Sequence, residues 1–572
     1  MSTKIFFIVG GILLALRILV GRLFGVTFWP FNYHDDALMF RYADLSEHFV
    51  DQSLRYIDLL VKDMGFPIFL KFLQVTGIVY TDAISIIYFF GAVMFTLLFS
   101  TLTDIRRKEI LLIIYVFVLF NPVAFSGTSL RLYRNSALAP FYILVITMMV
   151  YLFVIYWKNL ELTLKQRICF SVIFGFFFTW TYYMKEDGIW LLMSLAAIIV
   201  TCFFNEVFID TKTLKEKFIH TLILFLPLIM WFSGTVAYKS INEHYFGVYI
   251  INNRTEGELG RFLKNVYHIK SAERTGKIWA PADAVMKAFD TSETLKNNVE
   301  LRENVLHTPW FTNADKPTIF EAPIHGDFLG WVMLSSIYDT KTCLTLADQE
   351  TYFKKVNQEL ETAFENGTLE KDDKFYITSS MGGRTFSEIL QLKEGIALAY
   401  ILHLFVTDNP NITEYRIYTD NDKTFEDTVA DYKEIIAKAG DFANIDFFAK
   451  NEYYKQAYTF SLIIFWIYRV LNLVLVSCSF VGIFLAVRKI IHSSVKECSN
   501  TLLTVVIVTG MLLLSAVYAL AISWFSEFLV VTAALNFYGI GIIPMLIIFE
   551  VFGTYLFLNS LKSIRKYWDI EK

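Results

Sequence analysis

The 572-residue sequence has few cysteines, and their spacing supports neither a disulfide framework nor a zinc site. Of the five, only Cys343 lies in the long polar segment of the chain, where a single thiol has no partner for an internal bridge. The sequence contains no CxxC pair and no Cys/His cluster of the kind that binds structural zinc. These absences argue against a small fold that disulfide bonds or a metal ion stabilise.

An excess of charge of one sign is lacking as well. The 51 basic and 55 acidic residues give a net charge of −4, and no basic patch suggests a nucleic-acid partner. Apolar residues are abundant instead, at 55% hydrophobic and 17% aromatic, with a mean hydropathy of +0.46. These values are well above those of ordinary soluble domains, so they indicate a polytopic membrane protein.

Long apolar runs predict the fold class, an all-α polytopic membrane protein with about ten transmembrane helices. Each run approaches the length of roughly 20 residues that a helix needs to cross a bilayer. The runs are 5–24, 83–102, 110–125, 137–157, 168–184, 189–204, 219–238, 471–487, 502–524 and 534–558.

The basic residues predict the orientation of the chain. They cluster in alternate loops, which the positive-inside rule assigns to the cytoplasm together with both termini. The opposite side then carries the loop 27–82, short turns at 127–135 and 185–188, and a polar segment at 240–454. Low cysteine use and compact loops fit a bacterial cytoplasmic membrane with its working face outside.

Three regions follow from this division. Residues 1–239 form a transmembrane module, and residues 240–454 form a mostly helical extracytoplasmic domain inserted between spans seven and eight. Residues 455–572 return to the membrane, beginning with an interfacial helix at 457–469. Within the first outer loop, residues 37–50 and 54–64 have the spacing of two amphipathic helices lying on the membrane.

The first outer loop begins with His34-Asp35-Asp36, directly after the first span. Two adjacent carboxylates at a membrane surface are costly to place and suit proton transfer or cation binding. One carboxylate capping the following helix is the plainer alternative. Consecutive side chains project differently, so the two cannot flank one glycosidic bond as in a hydrolase. One is predicted to be a base, its neighbour orients it or holds a divalent cation, and His34 contacts substrate.

Two further outer turns carry candidate residues. Arg131 and Arg134 place positive charge on the outer side, against the positive-inside rule. This unusual placement favours a phosphate partner. The turn Lys185-Glu186-Asp187 offers a cation for phosphate and two carboxylates for sugar hydroxyls or a metal. In both turns, ordinary contact with lipid headgroups or solvent is the open alternative.

Isolated charges in the apolar runs also need partners. Three further arginines are expected to line the region of Arg131 and Arg134, namely Arg17 and Arg22 in the first span and Arg469 near the eighth. Of these, Arg17 most needs an internal partner. Glu550 in the last span is expected to be protonated or paired, and the pattern assigns it no role.

The acidic pair after the first span, followed by Phe40-Arg41-Tyr42-Ala43, resembles the GT-C superfamily of polytopic glycosyltransferases. Its aminoarabinose and mannosyl transferases have an acidic pair in the same loop. The turn Met184-Lys185-Glu186-Asp187-Gly188-Ile189-Trp190 is similar to the basic–acidic–glycine turn of many such enzymes. The resemblance covers roughly the first 240 residues, and Arg41 stands further from the acidic pair than in the simplest aminoarabinose pattern.

This resemblance implies an inverting glycosyltransferase. Its donor would be a sugar on polyprenyl phosphate, and its acceptor a hydroxyl of a cell-envelope glycan or lipid, as in cell-wall polysaccharide biosynthesis. The base would be Asp35 or Asp36, and cations would stabilise the leaving lipid phosphate. No cytoplasmic segment is large enough for a nucleotide-binding fold, which agrees with a lipid-linked donor. The cations assigned to the phosphate are Arg131, Arg134, Lys185 and Arg41.

Three other functions remain open. A polysaccharide polymerase or ligase would share the donor chemistry, a transporter or flippase would move lipid-linked sugars, and a scaffold would use the outer domain to bind a partner. Transporters often show repeated halves and broken spans, which the sequence does not clearly display.

Overall fold

A computed structural model describes residues 2–24, 26, 36, 38–51, 54–209, 213–378, 380–407, 454–492 and 499–570, with side chains to residue 561. Of the described residues, 76% are helical, and their β structure is limited to isolated bridges. His34 and Asp35 lie outside the described residues, as do the segments 415–418 and 426–439, for which the sequence suggests a strand and a helix.

Twenty-two α-helices are described, and we number them in chain order. They are α1 Thr3–Phe24, α2 Leu38–Ala43, α3 Gly65–Thr76, α4 Tyr80–Thr103, α5 Lys108–Leu119, α6 Gly127–Leu130, α7 Arg134–Trp157, α8 Leu164–Tyr182, α9 Ile189–Phe204, α10 Leu214–Phe246, α11 Gly257–His268, α12 Ala282–Thr291, α13 Glu293–Lys296, α14 Val299–Leu306, α15 Phe328–Asp339, α16 Leu346–Glu365, α17 Phe386–Gln391, α18 Lys393–Leu404, α19 Tyr454–His492, α20 Ser499–Ser526, α21 Val531–Tyr538 and α22 Ile542–Ile570.

The prediction of a polytopic helical membrane protein is confirmed. Nine helices in the described part of the chain are long and apolar enough to span a bilayer, and they match nine of the ten predicted runs. The tenth run forms α8, a 19-residue helix packed against α7 and α10 that is not among the nine. At the centre lies α7, whose most apolar stretch is completely buried, because after Arg134 its sequence carries no charged residue up to Trp157.

A helical domain formed by α11–α17 packs on one end of the bundle, which we call the domain face. Helix α16 is capped by Thr345, whose side chain accepts from the Asp348 backbone amide in a capping box. The domain is fixed to the bundle where Trp524 Nε1 donates to the Gly382 carbonyl at 3.0 Å. The Asn253 amide also donates to the Leu60 carbonyl, at 2.7 Å, and so joins the domain to the first loop.

The first loop differs from the two predicted interfacial helices. Residues 37–50 form the short helix α2 followed by a π-helical turn at Glu47–Asp51, and residues 54–64 contain only a 3₁₀ turn at Tyr56–Asp58. The prediction is wrong because protein rather than lipid covers this loop. His48, which the amphipathic pattern assigns to the polar face, is completely buried, with its ring 5.4 Å from that of Phe246.

The predicted interfacial helix at 457–469 is also wrong. This stretch belongs to α19, one continuous 39-residue helix. At 1.5 Å per residue α19 is about 58 Å long, nearly twice the hydrocarbon thickness, so its first turns extend beyond the membrane. Arg469 lies within this helix and donates to the carbonyls of Phe405 and Val406 at 2.6 and 3.0 Å. The Arg469 guanidinium is therefore held at the end of α18.

Helix α18 packs against the membrane helices, although residues 240–454 were predicted to form a soluble domain. Its Tyr400 hydroxyl lies 2.6 Å from Ser515 Oγ, midway along α20. The Leu404 carbonyl at its end accepts from Asn472 Nδ2 of α19 at 2.8 Å. The apolar run 396–405 was the sequence signal for this contact, but it is too short to indicate a span.

The last predicted span, 534–558, is broken. A 3₁₀ turn at Gly539–Gly541 separates α21 from α22. Carbonyl groups freed by a break at membrane depth need other donors, and side chains from three elements supply them. These bonds run from His403 to Leu535, from Asn135 to Phe537 and from Tyr518 to Tyr538.

Candidate functional site

The carboxylate of Asp36 and the guanidinium of Arg131 form a bidentate ion pair. The residues lie 95 positions apart in sequence; Arg131 Nε donates to Asp36 Oδ2 at 3.0 Å, and Nη2 donates to Oδ1. Asp36 is completely buried and Arg131 is 8% exposed. Two parallel charge-assisted bonds fix the orientation of both groups, so the first outer loop is tied to the turn before α7.

The guanidinium groups of Arg131 and Arg134 both lie over the same aromatic ring. The Tyr133 ring centroid is 4.9 Å from Arg131 Cζ and 5.1 Å from Arg134 Cζ. Tyr133 is extended at φ −151° and ψ 162°, which separates Arg131 from the start of α7 at Arg134. Both arginines are buried, so the alternative that they simply contact lipid headgroups is wrong.

Glu186 accepts a hydrogen bond from Arg134, with Oε1 2.5 Å from Nη1. Burial alone would raise the pKa of this carboxyl, but the charges of Arg134, Lys62 and Arg254 hold the pKa at about 2. Glu186 is therefore ionised at neutral pH. The turn between α8 and α9 is thus joined to the start of α7 by a second partly buried ion pair.

Lys185 lies in the same turn and pairs with Asp187, whose Oδ2 is 2.5 Å from Lys185 Nζ. The Lys185 side chain is 8% exposed, whereas that of Asp187 is 36% exposed. Lys185 Nζ also lies 4.7 Å from the Tyr538 ring centroid. The alternative of a fully solvated turn is therefore wrong for Lys185.

Helix α21 brings the predicted cations together. Arg131 Cζ is 5.3 Å from the ring of Phe537, and Lys185 Nζ contacts the ring of the next residue, Tyr538. Two turns that are distant in sequence thus meet at adjacent residues of one short helix. Arg41 instead donates to Glu47 within its own loop, at 2.8 Å.

The structure adds Asp63, which the sequence did not single out. Asp63 is 5% exposed, and Asn252 of the domain donates to its Oδ1 at 3.4 Å. Burial, followed by the negative charge of Glu186, raises the pKa of Asp63 well above its usual value, and Arg134 opposes this. Asp63 and Glu186 are therefore neighbouring carboxyl groups with pKa values shifted in opposite directions, an arrangement typical of acid–base sites.

The domain contributes further charge to this region. Arg254 donates to Asp327 at 3.2 Å and lies 4.5 Å from the ring of Trp331. Lys62 Nζ lies 5.7 Å from the centroid of the same ring. Because Lys62 and Arg254 both help to keep Glu186 ionised, the domain completes the electrostatics of the site.

Two other predicted cations are engaged elsewhere. Arg22 pairs with Asp82, with Nε 2.9 Å from Oδ1. Arg17 is 2% exposed and packs between the rings of Tyr88 and Phe125 at 5.1 and 4.6 Å. Its internal partners are therefore aromatic faces, which offer a cation–π contact in place of a carboxylate.

In the part of the chain that the structure describes, no group of three or more His, Cys, Asp or Glu side chains could hold a metal ion. The cation beside Asp36 is a guanidinium. Metal binding that involves Asp35 stays a prediction, because Asp35 lies outside the described residues.

Comparisons with protein-family models, curated proteins and solved structures find no match. The resemblance to GT-C glycosyltransferases is therefore supported only by the residues themselves.

We expect replacement of Glu186 by glutamine to lower the free energy of unfolding at pH 7 by about 3 kcal/mol, since one pKa unit corresponds to about 1.4 kcal/mol. The pKa of Glu186 is lowered on folding, so its stabilisation is present above its unfolded value of about 4.5 and is lost as the pH falls towards 2. Unfolding in detergent, followed from pH 7 to pH 3, measures this. Asp187→Asn in the same turn is the control and should cost less, because Asp187 is more exposed. Equal, pH-independent losses would contradict the assignment.

Asp63→Asn should have the opposite effect. A raised pKa means that the folded state binds the proton more tightly, so the wild-type protein loses stability as the pH rises above about 4. Asparagine removes this penalty, and the variant should unfold at a higher temperature than the wild type, by a margin that grows between pH 4 and pH 8. Asp58→Asn is the contrasting control, because buried Asp58 pairs with Arg55 and its loss should destabilise the protein. A less stable Asp63→Asn variant would show that Asp63 is ionised and paired.

Proposed function

We propose that the chain is an inverting glycosyltransferase that moves a sugar from polyprenyl phosphate to a hydroxyl of a cell-envelope glycan or lipid, at the domain face. The observation that carries the proposal is the buried Asp36–Arg131 pair. It joins Asp36, in the loop after the first span, to a cation that meets Lys185 at α21. The proposal therefore brings the start of this loop and the phosphate-binding cations to one end of the membrane bundle.

The ion pair favours different roles for the two adjacent aspartates. Both carboxylate oxygens of Asp36 accept from Arg131, so Asp36 is occupied as the group that orients the arginine. We therefore assign the base to Asp35. In the proposed step, Asp35 takes the proton of the acceptor hydroxyl. At the same time the oxygen of that hydroxyl bonds to the anomeric carbon, from the face opposite the phosphate. The bond from that carbon to the phosphate oxygen breaks, and the phosphate leaves with the electron pair.

Lys185 is the cation best suited to the leaving phosphate. The carboxylate partners of Arg131 and Arg134 are buried or nearly so, whereas Asp187, the partner of Lys185, is about one third exposed. A lipid phosphate can replace an exposed carboxylate at lower cost than a buried one.

Donor and acceptor would meet at the domain face, which we assign to the extracytoplasmic side because the basic loops lie at the opposite end. Asn252 and Arg254 place the domain against Asp63 and Glu186, so the domain is the part of the chain expected to contact the acceptor. A polymerase or ligase would use the same site and differ only in the length of its acceptor glycan.

A carrier of lipid-linked sugars is the second candidate. The break between α21 and α22 and the buried Glu550 within α22 are features that transporters use at membrane depth. The break was not evident from the sequence, and neither feature takes part in the transfer step above.

Product analysis separates the two functions. Purified protein in vesicles that contain a polyprenyl-phosphate sugar should release polyprenyl phosphate and extend or decorate an added hydroxyl acceptor. A carrier would leave the donor intact and change only its distribution between the leaflets. Redistribution without release would reject the glycosyltransferase.

A further inference from the structure

A small cavity lies within the membrane bundle, apart from the ion pairs at the domain face. It is bounded by the end of α18, by α19, by α21 and α22, and by the turn before α6. Most of its lining is aliphatic. The polar lining residues are Asn121, Ser126, His403, Asn472, Asn536 and Glu550. An apolar pocket with a few converging polar groups is the usual form of small-molecule sites.

Glu550 is the group in this cavity that most needs a partner. It is 2% exposed, yet its carboxyl group makes no hydrogen bond or ion pair within the described residues. Ser479 donates to the Glu550 backbone carbonyl at 3.0 Å and leaves the side chain untouched. Burying an unpaired carboxylate at this depth is expensive, so an intramembrane acid of this kind is a functional-site candidate.

The neighbouring polar groups define the chemistry. His403 donates from Nε2 to the Leu535 carbonyl at 3.3 Å, so its other ring nitrogen is an acceptor. Asn536 adds an amide with both donors and an acceptor. None of the described lining residues is lysine or arginine, whereas one is a carboxylic acid, so the lining favours an uncharged ligand over an anion. The carboxyl, amide and imidazole groups together suit a hydroxyl or amide group.

We propose that this cavity binds an uncharged amphipathic molecule from the membrane, with an aliphatic body against the apolar walls and a hydroxyl or amide group hydrogen-bonded to Glu550. Ile547 and Ile543 lie on the same face of α22 as Glu550, one and two turns away respectively. They supply part of the apolar lining. The site does not depend on the sugar transfer proposed above.

Adjacent residues of α21 contact the cavity and the site at the domain face. Asn536 faces the cavity, and the next two residues, Phe537 and Tyr538, contact Arg131 and Lys185. A ligand in the cavity would therefore pack against the same short helix, α21, that contacts both cations.

Three photoreactive probes test the proposal. Each carries the same diazirine-bearing aliphatic chain, and the chains end in a hydroxyl, an ammonium or a phosphate group. They are added to the full-length protein in lipid nanodiscs, irradiated, and located by peptide mass spectrometry. The alcohol should label residues 536–550 at least tenfold more than either charged probe, and unlabelled alcohol should compete. Equal or stronger labelling by a charged probe, or labelling spread over lipid-facing helices, would overturn the proposal.

Variants identify the groups responsible. Glu550→Gln keeps an uncharged hydrogen-bonding group and should retain alcohol labelling within threefold, whereas Glu550→Leu should lose it tenfold. Ile547→Phe fills the cavity without touching the carboxyl and should also lose labelling tenfold. Ser477→Ala, on α19 outside the cavity, is the matched control and should be unchanged. Loss in Glu550→Gln to the level of Glu550→Leu would show that a charge is required and would reject an uncharged ligand. Because labelling needs no sugar transfer, its outcome is separate from that of the proposed function.

Discussion

The Asp35→Asn variant is expected to transfer sugar about 10²–10⁴-fold more slowly than the wild-type protein, which is the usual contribution of a general base. Asparagine preserves the shape of the side chain but cannot take the proton of the acceptor hydroxyl. The measurement is the initial rate of polyprenyl phosphate release in vesicles, with donor and acceptor in excess. Since Asp36 holds Arg131, we expect the Asp35 variant to unfold at nearly the same temperature as the wild type.

A matched substitution controls for general effects of removing a carboxylate. Asp82 lies at the start of α4, in the same first outer loop, and pairs with Arg22, whose side chain is 56% exposed. Asp82→Asn should therefore keep nearly full activity and stability, because exposed ion pairs contribute little. If Asp35→Asn and Asp82→Asn lower the rate equally, Asp35 is not the base.

Asp36→Asn is expected to lower the free energy of unfolding by about 3–5 kcal/mol, as does removal of one member of a buried ion pair. The loss arises because Arg131, 8% exposed, keeps a full charge without its carboxylate. Transfer should fall as well, because Arg131 is no longer held in place. Denaturant or thermal unfolding of the purified protein measures the first effect, and the release assay measures the second.

The double variant Asp36→Asn/Arg131→Gln separates stability from function. With both charges removed, most of the lost stability should return, since the unpaired cation is gone. Activity should not return, because the double variant lacks the Arg131 cation that is proposed to act on the phosphate. Additive stability losses in the double variant would show that the two residues do not interact in the folded protein.

The sequence predicted the parts of the fold that apolar length and charge determine. Helix α7 was predicted because its run is uninterrupted, and Arg131 and Arg134 were singled out because their charge lies on the unusual side. Their partners were not predictable, since Asp36 is 95 positions from Arg131 and no local spacing connects them.

The errors have a common cause, namely burial against parts of the chain that are distant in sequence. The segments 37–50 and 54–64 have the amphipathic pattern of surface helices, but the domain and α10 cover much of them, and of the two helices only the short α2 forms. Asp63 was overlooked for the same reason, because its unusual environment comes from Asn252 and Glu186. A single sequence does not indicate which buried carboxyl group will lie beside another negatively charged group.

The most direct measurement uses right-side-out and inside-out membrane vesicles, with polyprenyl-phosphate sugar inserted in the leaflet exposed to the medium. The wild-type protein is expected to release polyprenyl phosphate in right-side-out vesicles, and the Asp35→Asn/Asp36→Asn double variant should not. Release at the same rate from inside-out vesicles, or full activity of the double variant, would contradict a transferase site at the domain face.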